Sequence, residues 1–402
     1  MTNELKNVPE LRFSEFDGVW ENSKLGTVAN VYDGTHQTPK YTIEGIKFLS
    51  VENIKTLNSN KFISKEAFEK EFKIRPEFGD VLMTRIGDVG TPNVIETNED
   101  LAYYVSLALL KPKKLNSYFL ESLIRSQTVQ NELWRKTLHI AFPKKINKNE
   151  IAKVEINYPE QMEQQKIGEF FSKLDRQIEL EEQKLEKLEE QKKGYMQKIF
   201  SQELRFKDGN GNNYSEWIKT NLKFLVSYKN GKGYEKEVVQ NGKYNIINLN
   251  SISTKGMLKD SGKYSDFEDI TLKKNDLIMI LSDVAKGNLI GKTAIIDQDD
   301  KYLLNQRVAS LRIKDESTSN VLFIYYFINY FRQYFINMST GMSQLNINKS
   351  TVEDFLIYLP YIEEQDKIGN FFSNLDKSII KQLDKIELLK ERKKGFLQKM
   401  FV

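Results

Sequence analysis

Residues 159–200, PEQMEQQKIGEFFSKLDRQIELEEQKLEKLEEQKKGYMQKIF, recur without a gap at 360–401 as PYIEEQDKIGNFFSNLDKSIIKQLDKIELLKERKKGFLQKMF. Of the 42 paired positions 22 are identical, all at one offset of 201 residues, so the chain is built twice on one plan. In the first copy Phe171, Leu174, Ile178, Leu185, Leu188, Tyr195 and Ile199 fall at alternating a and d positions. Phe372, Leu375, Ile379, Ile386, Leu389, Phe396 and Met400 do the same in the second. This heptad pattern among Glu, Lys and Gln predicts a coiled-coil helix of roughly 60 Å in each copy. Polar residues break the seam at Glu181 and Lys192, and at Gln382 and Lys393, where they can fix register and partner.

Each helix is preceded by a longer segment whose sequence differs between the halves. In residues 1–158 short apolar runs (45–51, 80–84, 104–110) read as strands, 117–135 as a helix, 139–149 as a polar basic loop and 154–156 as a strand. Residues 201–359 echo this order: Leu204-Arg205-Phe206 repeats Leu11-Arg12-Phe13, Trp217 repeats Trp20, and 275–279 repeats 79–83. A helix over 321–335 and a loop over 339–349 follow. The expectation is an α+β protein of two globular domains, 1–158 and 201–359, each followed by a helix, 159–200 and 360–402. The two helices pair as an antiparallel coiled coil with pseudo-two-fold symmetry. Antiparallel pairing is favoured because only about ten residues, Ser201 to Gly211, precede the second domain, too few for the return a parallel pair needs.

Composition narrows the chemistry. The absence of cysteine excludes disulfides, thiolate metal sites and cysteine nucleophiles, and two histidines, His36 and His139, make a histidine metal site improbable. No secretion signal or 18-residue apolar run is visible, which points to a soluble cytoplasmic chain. The net charge of +4 does not by itself announce a nucleic-acid ligand, although acidic residues crowd into the helices and leave the remainder more basic. No Pro-Pro pair and no G-x-G-x-x-G occurs, so methyltransferase signatures are missing. Residues 287–293, GNLIGKT, are one residue short of a phosphate loop and run into a strand-like 294–296. The acidic pairs Asp88 with Glu96 and Asp283 with Asp297 could share a metal, but they read more simply as repeated turns.

The alternation of two variable segments with two near-identical helices resembles the specificity subunit of Type I restriction–modification enzymes. The resemblance is carried by ELRFSEFDGVW, GDVLMTRIGDVG, EQxKIGxFFSxLD and KKGxxQKxF and covers essentially the whole chain. It implies two target recognition domains, each reading one half of a bipartite site in double-stranded DNA, with the gap set by the helices. The helices would also dock two methyltransferase (M) subunits, and restriction (R) subunits would join the complex. No catalytic centre or metal is implied in this chain. S-adenosylmethionine, ATP and Mg2+ would serve the other subunits. The competing readings are a standalone DNA-modifying enzyme and a coiled-coil scaffold that binds only protein.

Affinity for DNA needs cations on phosphates, and specificity needs hydrogen-bonding side chains on base edges. Loops that carry both lie at matching places in the halves. The first domain offers His36, Gln37, Thr38, Lys40 and Tyr41, then Arg85, then His139, Lys144, Lys145 and Lys148. Arg85 is the favoured phosphate contact because it follows a strand directly and is the only arginine in its loop. The second domain offers Lys232, Tyr234 and Lys236, then Ser282, Lys286, Asn288 and Lys292, then Gln306 and Arg307, then Ser343, Gln344, Asn346 and Lys349.

Overall fold

The computed structural model describes residues 7–37, 40–284 and 288–402. The chain forms two compact units, Met1–Lys184 with Leu383–Val402, and Leu185–Gln382. Each unit contains one globule and a part of both long helices. The helices themselves run over Gln161–Phe200 and Ile362–Lys399.

In the first unit an antiparallel sheet has the strand order Ala29–Asp33, Leu107–Pro112, Val81–Ile86, Asp88–Val94. A second sheet is ordered Tyr41–Thr42, Phe62–Ile63, Ile46–Leu49, Leu101–Tyr103, the last two parallel. Of the apolar run expected as one strand over 104–110, only the part from Leu107 is strand; 105–106 turn, and Leu101–Tyr103 just before belongs to the other sheet. The helix expected over 117–135 is two, Ser117–Arg125 and Gln127–Lys136. Ser126 separates them in an extended conformation, and its Oγ accepts from the Val129 N–H at 3.4 Å, capping the second helix.

The second unit repeats this plan. Its main sheet is ordered Val226–Asn230, Val308–Ile313, Leu277–Ile280, Thr293–Ile295. Tyr264–Ser265, Tyr244–Ile247 and Tyr302–Leu304 form the smaller sheet. Helices Val321–Tyr330 and Gln333–Asn337 replace the single one expected.

Within each unit the two long helices run antiparallel: Asp175 faces Lys393 while Glu181, further along, faces Lys385, and Lys192 faces Asp376 while Tyr195, further along, faces Phe371. In the first unit Lys393 bonds Asp175, Lys390 meets Glu182 at 2.5 Å, and Lys385 bonds Glu181. In the second, Lys192 Nζ meets Asp376 at 2.5 Å and the Tyr195 and Phe371 rings lie edge to face at 5.1 Å. The polar seam residues Lys192 and Lys393 therefore take equivalent partners, Asp376 and Asp175, on the facing helix. Among the apolar seam residues only Tyr195 stays exposed, at 39%.

The start of each helix is locked to its globule. Glu163 is fully buried and accepts from Arg12 Nε at 2.7 Å and from its Nη2 at 2.6 Å. Glu364 accepts in the same way from Arg205, at 3.1 and 2.6 Å, and also from Trp217 Nε1. The next residue, Gln164 or Gln365, accepts the backbone N–H of Asn116 or Asn320, each the N-cap of a globule helix. Four residues on, Gly168 and Gly369 let the long helix touch that cap. A Cβ on Gly168 would lie 2.7 Å from Asn116 Oδ1 and 2.8 Å from Phe119 N. The far ends are apolar plugs. Phe401 packs on Trp20, Phe119 and Phe171, and Phe200 on Phe323, Phe327 and Phe372.

These contacts separate two kinds of helical glycine. Gly168→Ala is expected to lower the stability by about 1–3 kcal/mol through overpacking against backbone. Gly194→Ala, where nothing lies within 4 Å of the added carbon, is expected to raise it by about 0.5–1 kcal/mol. Chemical unfolding of both variants checks this, and equal effects would refute the close-approach role.

Candidate nucleic-acid interface

Three stretches far apart in sequence meet at one edge of the first globule. The strand Ala29–Asp33 ends on Asp33, whose carboxylate bonds the Arg85 guanidinium and lies 3.9 Å from Lys148 Nζ and 4.0 Å from His36 Nε2. Arg85 Nε also donates to the Ile146 carbonyl at 3.0 Å. Backbone bonds complete the join: Gly87 N–H to the Lys144 carbonyl at 2.8 Å, and Ile146 N–H to the Arg85 carbonyl at 3.0 Å. A recess of about 510 Å³ opens beside it, lined by Asp33, His36, Gln37, Lys73, Tyr103 and Lys148.

The loop expected over 139–149 is a hairpin closed by Leu138 and Lys145, and it leads into a short helix, Lys148–Ala152. His139 Nε2 lies 2.9 Å from the Trp134 carbonyl, and Lys144 Nζ sits 4.7 Å above the Trp134 ring. His36, Gln37, Lys40, His139, Lys145 and Lys148 are exposed, and Lys144 is half-buried. Tyr41 is exposed as well but lies on the second sheet, its ring 5.7 Å from Phe48. Thr38 falls outside the described residues. Arg85, expected to touch phosphate, lies inside the edge rather than on its surface. It is only 4% exposed, because Asp33 and Ile146 draw it inward as a strut between the loops.

The second globule assembles the equivalent edge with other side chains. Lys232 pairs with Asp269 at 2.8 Å, and Tyr234 donates to the same carboxylate at 3.0 Å. The Gln306 N–H donates to the Lys232 carbonyl at 2.7 Å, and the Leu281 N–H to the Arg307 carbonyl at 2.9 Å. Thr340 and Asn346 exchange backbone hydrogen bonds at 2.9 Å, so the expected loop over 339–349 is a hairpin, and its strand Gln344–Asn346 pairs with Ser282–Val284. Lys349 Nζ lies 5.7 Å above the Tyr228 ring. A second recess, of about 430 Å³, is lined by Glu235, Asn248, Asn250, Asn305, Gln306 and Arg307.

Lys232, Lys236, Asn288, Gln306, Arg307, Ser343, Asn346 and Lys349 are exposed. Four expected contacts are not, the half-buried Gln344 among them. Tyr234 and Ser282 are buried, the first by its bond to Asp269 and the second by Gln344, whose Nε2 donates to its Oγ. Lys292 is half-buried, and burial holds its pKa below the usual lysine value, with Arg332 and Lys192 adding to the effect. Lys286 falls outside the described residues.

The residues that weld each edge, Asp33 and Asp269, escaped the sequence reading, because an acid seldom advertises itself in a surface of cations. The acidic pairs once open to a metal role have structural partners. Asp88 accepts from Thr91 at 2.7 Å, Glu96 from Tyr118 at 2.8 Å, Asp283 from the Leu289 N–H at 2.6 Å and Asp297 from Tyr302 at 2.6 Å. No group of three or more acidic or histidine residues that could hold a metal ion occurs among the described residues. The segment before Thr293 enters a strand rather than a helix, so it lacks the helix N-terminus of a phosphate loop. No helix among the described residues is long and apolar enough to cross a membrane.

Two globules of one plan, each with a polar loop edge and each clamped by the same pair of helices, define a duplicated recognition protein. The profile of the type I restriction modification DNA specificity domain matches residues 18–190 and again 214–390. The chain belongs to this family and is a specificity subunit of a type I restriction–modification system, a non-catalytic component.

Among characterised relatives, the type I restriction enzyme MjaVIII specificity subunit of Methanocaldococcus jannaschii is 24% identical over 415 residues, covering 96% of this chain and 94% of the relative. A putative type I specificity subunit of Mycoplasma pneumoniae, S.MpnORF638P, is 27% identical over 192 residues, 47% of each chain. The crystal structure of a type I restriction–modification S subunit from M. genitalium shares the fold, with a TM-score of 0.66 at 15% identity over 98% of this chain and 99% of that one. A chain from a structural study of type I complex assembly and conformational transition superposes with a TM-score of 0.54 at 13% identity over 94% of this chain and 96% of that one.

The Lys232 hydrogen bond holds the Asp269 carboxyl down at about 2, below the ordinary aspartate value of about 3.9. A depressed carboxyl stabilises the fold above its ordinary pKa, and that contribution is lost as the pH falls through the folded value. Asp269→Asn is therefore expected to lower the urea midpoint near neutrality, with the difference from the unaltered chain shrinking between about pH 4 and pH 2. A difference that stays constant with pH would refute the role assigned to the ionised form.

Proposed function

We propose that each unit reads one half of a bipartite site in double-stranded DNA, and that the chain directs methyltransferase and restriction subunits to that site. The observation that carries this reading is the convergence, twice in one chain, of separate cation-bearing loops on one edge of a globule, in a chain of the specificity family. The exposed residues His36, Gln37, Lys40, Tyr41, His139, Lys145 and Lys148 would meet DNA from the first unit, joined by Lys144. Lys232, Lys236, Asn288, Gln306, Arg307, Ser343, Asn346 and Lys349 would meet it from the second. Lysines on phosphates supply salt-sensitive affinity, and the amides, hydroxyls and imidazoles supply discrimination at base edges. Arg85, Tyr234, Ser282 and Gln344 hold the loops in place for that contact. The paired helices would set the gap between half-sites and offer surface to two methyltransferase subunits. S-adenosylmethionine, ATP and Mg2+ would be used in partner subunits, and the cytoplasm would be the site of action.

Co-expression with the methyltransferase partner, followed by genome-wide mapping of N6-methyladenine, tests this reading. A split motif with a fixed gap is expected, and exchange of residues 1–158 for another recognition domain should change one half only. Methylation by this chain alone, or a change in both halves, would overturn it. Lys148→Ala is expected to weaken binding to all sequences alike and to reduce the slope of log affinity against log salt by about one. An unchanged slope would remove Lys148 from the phosphate contacts.

A further inference from the structure

We propose that Ile140 and Phe142 of the first unit, and Met342 of the second, are apolar wedges that enter DNA between base steps at the two half-sites. The inference rests on the DNA-reading function above and deepens it. Ile140 is 99% exposed, Phe142 105% and Met342 100%, the extremes for large apolar side chains, with Ile43, in this structure. One exposed apolar residue is ordinary. These three stand at the same place in both halves, on the tips of hairpins closed by Leu138 with Lys145 and by Thr340 with Asn346.

Each tip is backed by sheet. Ile146 and Ile347 donate their N–H groups to the carbonyls of Arg85 and Leu281, at 3.0 and 2.9 Å. In the second unit Gly341 takes a φ of +117° with its Cβ position only 2.0 Å from the Gln344 carbonyl oxygen, a turn that only glycine makes comfortably and that presents Met342 outward. The side chains are therefore presented by fixed backbone, as a wedge must be.

The charge around the tips selects the occupant. Residues 138–149 carry Lys144, Lys145, Lys148 and His139 and no acid, and 338–350 carry Lys349 and no acid. An apolar point on a segment of cations and amides with no acid fits a polyanion whose interior is a stack of apolar faces. Insertion of Phe, Ile or Met between base steps, with cations on the adjacent phosphates, is a known way to unstack and bend a duplex. A protein partner would need an acidic rim around an apolar socket, and it forms the competing outcome.

The test uses the full chain with its methyltransferase partner and a duplex carrying the methylated motif, with 2-aminopurine placed in turn at each step of both half-sites. The unaltered complex is expected to raise the fluorescence several-fold at one step in each half. Ile140→Ser with Phe142→Ser should abolish the rise in one half only, and Met342→Ser in the other, with DNA still bound and the salt slope unchanged. No rise at any step while the duplex is bound would overturn the wedge and leave the DNA-reading function standing. Loss of methyltransferase assembly in the serine variants, with the fluorescence rise intact, would assign the tips to a protein interface and overturn it as well. Failure of the unaltered complex to bind the duplex would overturn both.

Discussion

Everything in each unit depends on a carboxylate buried at the first turn of a long helix. Glu163 and Glu364 are both 0% exposed, and each takes a two-pronged hydrogen bond from an arginine at the beginning of its globule, Arg12 or Arg205. Removing one partner of such a pair leaves an uncompensated buried charge, which typically costs about 3–5 kcal/mol. The pair also fixes direction. A fork meeting a carboxylate has one good geometry, so the helix leaves the globule at a set angle, and Gln164 and Gly168 or Gln365 and Gly369 hold it against the neighbouring N-cap.

This gives the near-identity of the two copies a more particular cause than spacing alone. The repeated letters cluster where the structure makes contact. Glu, Gln and Gly of the EQxKIG segment form the lock, the paired Phe residues enter the core, Asp175 and Asp376 take the facing lysines, and the terminal Phe200 and Phe401 plug a globule. Positions facing water, such as Gln177 and Ser378, or Gln183 and Asp384, differ between the copies.

The duplicated plan, the mixed α and β content, the antiparallel helices and the equivalent seam lysines were legible in the sequence, because each leaves a period or an echo. The LRF echo was legible too, but not its meaning. A buried Arg–Glu pair links residues 151 apart, and nothing local marks Glu163 as different from the many solvated acids around it. Helix breaks at Ser126, and the hairpins inside the two basic loops, were hidden for a related reason. Caps and backbone pairs are made by tertiary neighbours, and the polar residues that form them read equally well as loop. The burial of Arg85 was hidden for the same reason, since it depends on Asp33, which lies on another strand.

The two loop edges show how such surfaces can diverge without loss of the fold. Arg85 and Leu281 occupy matching positions, each donating its N–H into the next strand's turn, to Ser106 or Arg307, and each accepting from the hairpin, from Ile146 or Ile347. Their side chains are opposite in kind, and the strand ends beside them change in step. Asp33 neutralises Arg85, whereas the corresponding end, Asn230, accepts from the Tyr228 hydroxyl at 2.6 Å and needs no cation. Where the first unit ties its loops with an ion pair, the second ties strand Ser282–Val284 to its hairpin through Ser282 and Gln344. The backbone bonds carry the architecture, so the side chains are free to change in compensating pairs. A recognition surface that must differ between the halves of one protein requires that division of labour.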